Sequence, residues 1–392
     1  MYDALIIGAG PAGSSAARLL AKAGWSVALV EKSEFPRRKV CGEFISATSL
    51  PLLYDDDLKK EFLASAGPEV RRVGLFARDT VLSSDMPRAA NSSAGWGRAL
   101  GREHLDLLLG EAAVRAGARL WQPWKVTELR RDGAGYRCHL TDGNAKEIRA
   151  PIVIAATGSW ERSPIAPEFH GLRKASDLLA FKAHFCGAKL PSDLMPLLVF
   201  PGGYGGMVHT DNGRISLSCC IRRDSLERCR REHPAPHAGD SVLQHIRAAC
   251  GGVRDALQGA RQDGPWLAAG PVRPGIRPRY ARGIFFAGNS AGEAHPIIAE
   301  GISMAMQSAW LLCRRLLAQQ DGIMTEAEKD EAGRHYSKDW RHAFAPRIYA
   351  ASLFAHLAMW PKSGKLLPLI GKFPGILSWG AELSGKTAQI LR

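Results

Sequence analysis

The sequence predicts an α/β fold with a doubly wound layer split along the chain, a second antiparallel β-sheet domain between its two parts, and a C-terminal helical cap. Three observations lead there. Two short apolar runs, Ala4 to Ile7 and Ile284 to Ala287, each feed a glycine turn and then a helix, which is how buried parallel strands read. Apolar and polar residues alternate at several places between about 174 and 282. The length of 392 residues exceeds the roughly 250 to 300 at which one core stops growing. The predicted parts are 1–173, 174–282, 283–320 and 321–392. With 46% hydrophobic and 23% charged residues, the composition excludes disordered, collagen-like and disulfide-scaffold chains.

The first element is the strand Ala4 to Ile7, which runs into Gly8-Ala9-Gly10-Pro11-Ala12-Gly13, a GxGxxG turn. Ser14 to Ala23 follows as an alanine- and leucine-rich helix that stops at Gly24. Ser26 to Val30 is a second strand, closing on Glu31. Together these form the Rossmann βαβ fingerprint of a dinucleotide site. Gly8 permits the tight turn, Gly10 lets a pyrophosphate approach the backbone, and Gly13 lets helix and sheet pack closely. Ala12 lies in the helix's first turn, where unpaired N–H groups receive phosphates. Glu31 is placed to accept from a ribose hydroxyl. This fingerprint does not separate FAD from NAD.

A second segment does. Gly283 to Gly292 is another strand ending in a glycine turn, and Glu300-Gly301-Ile302-Ser303 opens a helix to about Gln319. These motifs resemble the FAD-dependent superfamily of p-hydroxybenzoate hydroxylase-type (group A) monooxygenases, flavin-dependent halogenases and geranylgeranyl reductases. The resemblance implies the GR2-type Rossmann-like FAD-binding domain, with non-covalent FAD held at its ribityl chain by Gly288 and Asn289 and near its ring by Gly301 and Ile302. A helix amino terminus there would stabilise the negative charge of a reduced flavin.

The resemblance extends along the chain. Arg102-Glu103-His104-Leu105-Asp106 is similar to the family's RxxLD helix, implying that Arg102 contacts FAD, and Val126 matches the position whose backbone meets the adenine. A hairpin, Tyr136 to Leu140 with Lys146 to Arg149, then leads to the strand Ile152 to Ala156. The loop Pro36 to Phe44 resembles the K-x-CG loop of geranylgeranyl reductases, which puts Lys39, Cys41, Gly42 and Phe44 beside the cofactor. Arg37, Arg38 and Lys39 can offset the diphosphate charge and lower a neighbouring thiol pKa. Cys41 is thus a candidate catalytic residue, set against the plainer reading of a small buried filler.

Two departures bear on the reaction. Thr157-Gly158-Ser159 stands where monooxygenases of the superfamily carry Asp-Gly, and Asn289 stands for the usual aspartate. Direct NADPH use is therefore doubtful, leaving NAD(P)H or a separate reductase as electron source. No tryptophan-x-tryptophan-x-isoleucine segment marks a halogenase.

In the middle region Phe181, Ala183 and Phe185 alternate with Lys182, His184 and Cys186, and Ile215 to Ile221 behaves alike. Both are expected as half-buried antiparallel strands. Between them Pro201 to His209 resembles the family's GxYxWxFP segment, which implies that Tyr204 and His209 face the substrate. Gly206 replaces the tryptophan, which enlarges the cavity. His295 is either a proton donor or flavin contact, or a histidine satisfied by backbone. No His, Cys and acid grouping has metal spacing.

The final 49 residues carry six basic side chains and one acid, with Tyr349, Leu353, Leu357 and Trp360 on one helical stripe and Pro361, Pro368 and Pro374 beyond. Such a stripe reads first as a cap facing the core and second as a peripheral membrane contact. The net charge of +14 by itself fits nucleic acid, membrane or anionic ligand. No basic run, RNA motif or zinc-finger spacing supports nucleic acid. Eight scattered cysteines, no CxxC pair, no 18-residue apolar run and an acid at position 3 suit a reducing, cytoplasmic setting.

The commitment is an FAD-dependent oxidoreductase acting on an apolar small molecule. Reduction of a carbon-carbon double bond is favoured over hydroxylation of an aromatic or polyketide-like metabolite, and over electron relay to a partner.

Overall fold

The computed structural model describes residues 1–54, 56–89, 94–159, 173–318, 324–360, 375–387 and 390. The proline-punctuated tail, with Pro361, Pro368 and Pro374, lies outside the described residues, as does the expected helix end at Gln319.

The first layer is a six-stranded sheet ordered Tyr280–Ala281, Ile284–Phe286, Ile152–Ala155, Ala4–Ile7, Val27–Val30 and Arg119–Trp121. Its four central strands are parallel and buried on both faces, which is why they read as unbroken apolar runs. Helices α1 (Pro11–Lys22), α3 (Arg102–Arg115) and α7 (Gly301–Leu317) pack with it; α2 (Asp56–Ser65) leans on α3. A three-stranded sheet, Lys125–Asp132, Gly135–Thr141 and Ala145–Ala150, is the expected hairpin with one strand more.

The second layer has seven strands: Arg261–Val272, Leu178–Cys186, Ile215–Arg222, Gly203–His209, Leu194–Phe200, Arg72–Ala77 and Thr80–Asp85. Two of these come from the part of the chain assigned to the first domain. Arg72–Ala77 pairs parallel with Leu194–Phe200, placing Leu194 opposite Arg72 and Leu198 opposite Phe76. The segment 223–256, without a sequence assignment, forms α4 (Arg223–Glu232), α5 (Ala238–Ala249) and α6 (Gly251–Ala256). Their Cys229, Val242, Ile246 and Val253 cover one sheet face.

The expectation of half-buried strands fails at Leu178–Cys186. Lys182 and His184 are as buried as Phe181 and Phe185, because the polar face meets the Glu43 carboxylate of the 36–44 loop instead of water.

Helix α8 (Glu326–Met359) opens with a capping box, Thr325 accepting from the Glu328 amide and the Glu328 carboxylate accepting from the Thr325 amide. Its inward face is Tyr336, Trp340, Phe344, Ile348, Ala351 and Ala355. The stripe expected to face the core points outward: Tyr349 is 64% exposed, Leu353 59% and Trp360 47%. Ile348, Ala351 and Ala355 fill the core side instead. A last helix, α9 (Gly375–Leu383), packs against the strands of 72–85.

Candidate functional site

Two adjoining cavities lie where the layers meet. The smaller, about 250 Å³, is walled by the Gly8 to Ala12 turn, Glu31, Arg37, Lys39, Arg102, Val126, the Thr157 to Ser159 turn and Gly288. The larger, about 510 Å³ and mostly apolar, runs between the seven-stranded sheet, the 293–299 loop and the two C-terminal helices. Val40, Cys41, Asn289, Gly301 and Ile302 border both. The sequence-assigned residues from Gly8 to Ile302 thus converge on one place, although about 290 positions separate the two motifs.

The smaller cavity is built from backbone first. Gly8 has φ +102°, and a Cβ there would stand 2.5 Å from the Ala156 carbonyl oxygen. A Cβ on Gly13 would stand 1.8 Å from the Gly8 oxygen, so α1 crosses the strand at its closest approach. Gly10 caps α1, and the amides of Ala12 and Gly13 sit where helical N–H groups lack intrahelical partners. Glu31 accepts from the Ala9 amide at 3.0 Å and from Arg37 at 3.1 Å.

Arg102 grips Asp106 with two bonds of 2.7 Å. Burial works against its charge, but the Asp106 carboxylate holds its pKa above the ordinary guanidinium value. Among the described residues Lys39 is in no ion pair. Burial, then the charges of Arg102 and Arg37, hold its pKa down to about 8, and the more distant Asp106 and Glu31 pull it up only in part. Arg37 also keeps Nε buried without a partner. A cavity lined by crowded cations, helix-start amides and glycine backbone fits an anionic diphosphate. On the other side, a Cβ on Gly301 would meet nothing within 4 Å, so α7 begins on bare backbone facing open space. These residues fit FAD.

Cys41 sits at the junction, partly exposed, with its Sγ accepting from the Glu43 amide at 3.4 Å. Gly42 and Phe44 line the larger cavity. Glu43, at φ +65°, was not singled out by the sequence, yet it ties the loop down. Its carboxylate accepts from Lys182, from His184 at 2.8 Å and from the Arg102 amide at 2.9 Å. Burial would raise its pKa, but the His184 hydrogen bond and the Lys182 charge prevail and bring it to about 2. Lys182 also donates to the Lys39 carbonyl at 3.4 Å. Two charged residues alternating with phenylalanines in one strand were the available signal.

Tyr204 and His295 line the larger cavity and share a 3.2 Å contact between the hydroxyl and Nδ1. Burial, and then His356, bring His295 down to about 4; burial pushes Tyr204 well above the usual phenol value. His295 is therefore bonded to a side chain, not satisfied by backbone. His209 corrects the substrate assignment: its Nε2 contacts the Leu190 carbonyl at 2.8 Å, and it borders neither cavity, because it lies at the far end of its strand. Gly206 does line the cavity, with the Pro196 oxygen 3.5 Å from where a Cβ would be. Asn289 donates to Ser159 at 2.7 Å and to Glu293 at 3.3 Å. Two groupings that sequence spacing did not show, Glu232 with His233 and His245, and Glu103 with His104 and Asp211, come close enough to share an ion. Neither borders a cavity, and Glu103 and Asp211 are already bonded to Arg214.

The comparisons speak for the family and the fold. A family model described as an FAD binding domain matches residues 1–347. Digeranylgeranylglycerophospholipid reductase of Methanothrix thermoacetophila is 27% identical over 363 residues, 88% of this chain and 84% of that protein. Conditioned medium factor receptor 1 of Dictyostelium discoideum is 26% identical over 336 residues, 81% of this chain but 63% of that protein. Among solved structures, the flavin-dependent brominase Bmp2 superposes with a TM-score of 0.75 at 19% identity, covering 98% of this chain and 93% of that one. A geranylgeranyl bacteriochlorophyll reductase-like protein of Thermoplasma acidophilum gives 0.72 at 18%, covering 96% and 91%. At these identities the two structures speak for the fold.

Proposed function

Because the chain belongs to the FAD binding domain family and is an FAD-dependent oxidoreductase, we propose that it reduces a carbon-carbon double bond in a prenyl or similarly apolar substrate. The observation that carries this is the apolar cavity of about 510 Å³ abutting the nucleotide cavity at Cys41, Asn289, Gly301 and Ile302. When bound and reduced, FAD supplies a hydride. The protein's own residues do the rest. Gly8, Gly10, Ala12 and Gly13 with Lys39 and Arg102 hold the diphosphate; Glu31 and Val126 hold the adenosine end. Gly288 and Asn289 hold the ribityl chain, while Gly301 and Ile302 offer helix-start amides at the ring. Gly42 and Phe44 wall the ring's edge, and Cys41, pinned through Glu43, excludes water where the cavities meet. Tyr204 and the neutral His295 stand over the substrate as the pair that supplies the proton.

For the electron source we favour a separate reductant over direct NADPH. The Thr157 to Ser159 turn brings no carboxylate, and its Ser159 is engaged with Asn289. We further place the enzyme at a membrane surface. No described helix is long and apolar enough to cross a membrane, but Leu357, Ile376 and Trp379 are exposed apolar residues that also line the substrate cavity. A lipid-soluble substrate could pass through this mouth without entering water.

The test is anaerobic turnover of the photoreduced holoprotein with geranylgeraniol, read by mass spectrometry as a gain of two hydrogens per double bond. An obligatory oxygen requirement would replace this reading with monooxygenation. Oxidation of the flavin by a quinone, with no reduced alkene, would replace it with electron relay.

A further inference from the structure

We propose that Tyr204, His295 and His356 form a proton-delivery chain from solvent to the substrate cavity, with Tyr204 as its terminal donor. The inference rests on the reductive reading above and supplies the half of the reaction that a hydride leaves open.

The geometry orders the three groups. Tyr204 is fully buried on the central strand Gly203–His209 and borders the cavity, with its hydroxyl 3.2 Å from His295 Nδ1. His295 stands at the bend before Pro296, and its ring faces that of His356 edge-on at 6.2 Å between centroids. His356, on α8, is exposed. Its Nδ1 donates to the Ser352 carbonyl at 2.6 Å, which leaves Nε2 as the nitrogen that exchanges with water. Nδ1 of His295 is taken by Tyr204, so the relay uses His295 Nε2 toward the His356 ring, at a centroid separation that one water can bridge. From α8 to the sheet, an exposed group thus leads to two buried ones that both border the cavity.

The environment suits a relay rather than a store. Burial keeps His295 neutral near pH 7, so a proton reaching it is passed on. The other groups facing the chain are Cys220 and Glu293. Burial pushes the Cys220 thiol up to about 12, and Glu293 is engaged by Arg277 at 3.2 Å and by Asn289. Both also border the cavity, and of the three it is Tyr204 whose hydroxyl contacts His295.

The step balances. One alkene carbon takes the hydride from reduced FAD, which is thereby oxidised, and the π-electron pair takes the Tyr204 proton at the other carbon. Tyr204 regains a proton from His295 Nδ1. His295 regains one at Nε2 from the His356 imidazolium, which water then recharges.

Two measurements test this on the FAD-loaded full-length protein. In single turnover with geranylgeraniol, Tyr204→Phe should slow reduction roughly 100-fold. His356→Gln should slow it about tenfold, with rescue by added imidazole and unchanged FAD absorbance. A His356→Gln enzyme that reduces the alkene at the wild-type rate overturns the relay. Independently of any reaction, ¹⁵N-histidine spectra should show the His295 Nε2 resonance displaced in His356→Gln relative to the unsubstituted protein. A His295 resonance blind to His356 overturns the relay whatever the chemistry; oxygen-dependent product with a coupled pair of resonances overturns only the reductive reading.

Discussion

Lys39 is the residue whose state an anionic cofactor changes most. Burial and the neighbouring Arg102 and Arg37 hold it to about 8 in the unliganded cavity, and a diphosphate would raise it. Binding then takes up protons on the alkaline side, so FAD affinity should fall as pH rises through 8. Fluorescence titrations across pH 7 to 10 should show this slope, and Lys39→Met should remove it while weakening binding about tenfold. Glu43 works with the opposite sign. Its folded pKa, about 2, lies below the ordinary carboxylate value, so its contribution is complete above that value and is lost as pH falls toward 2. Glu43→Gln should cost about 3 to 5 kcal/mol by leaving Lys182 buried without its counter-charge, and circular dichroism should show acid unfolding that has lost this component. Single residues were the hardest scale to read in advance. Cys41 and Arg102 sit in recognisable motifs, whereas Glu43 finds its partners 139 and 141 positions away, a pairing that no local pattern encodes.

At the scale of elements, local chemistry was decisive wherever it could not be satisfied in two ways. The βαβ turn was legible because only glycine tolerates the approach of α1 to Gly8. Gly13→Ala would put a methyl 1.8 Å from the Gly8 carbonyl, and the expected outcome is a protein purified without the yellow absorbance of flavin. Gly206 is the opposite case, open space within a strand. Gly206→Trp should keep bound FAD, since Gly206 borders only the larger cavity, yet reduce turnover of a long prenyl substrate at least tenfold by occupying the cavity; steady-state rates on short and long substrates would check it. Amphipathic periodicity misled at α8 because a stripe records which side is apolar, not whether that side has a partner. Alanine-rich Ala351 and Ala355 serve the core there, and the large residues are left outside. Alternation also overstated solvent exposure in Leu178–Cys186, where an ion pair replaces water.

For the whole molecule, the proposed membrane docking would draw on the exposed apolar residues Tyr349, Leu353, Leu357, Trp360 and Trp379 together with the surplus of 14 positive charges, which would favour an anionic bilayer. Co-sedimentation should show binding to vesicles containing phosphatidylglycerol that weakens with salt, and Leu353→Glu with Trp379→Glu should reduce it at least tenfold while leaving the folded protein intact, since both side chains are more than half exposed. The parallel partnership of Arg72–Ala77 with Leu194–Phe200 has a consequence for how the protein comes into being. During synthesis the ribosome delivers the first of these strands more than a hundred residues before the second, so neither layer can reach its finished form while the other is missing. A gene divided between codons 173 and 174 should therefore yield two insoluble fragments when each is expressed alone, and a yellow, soluble product only when both are translated in the same cell.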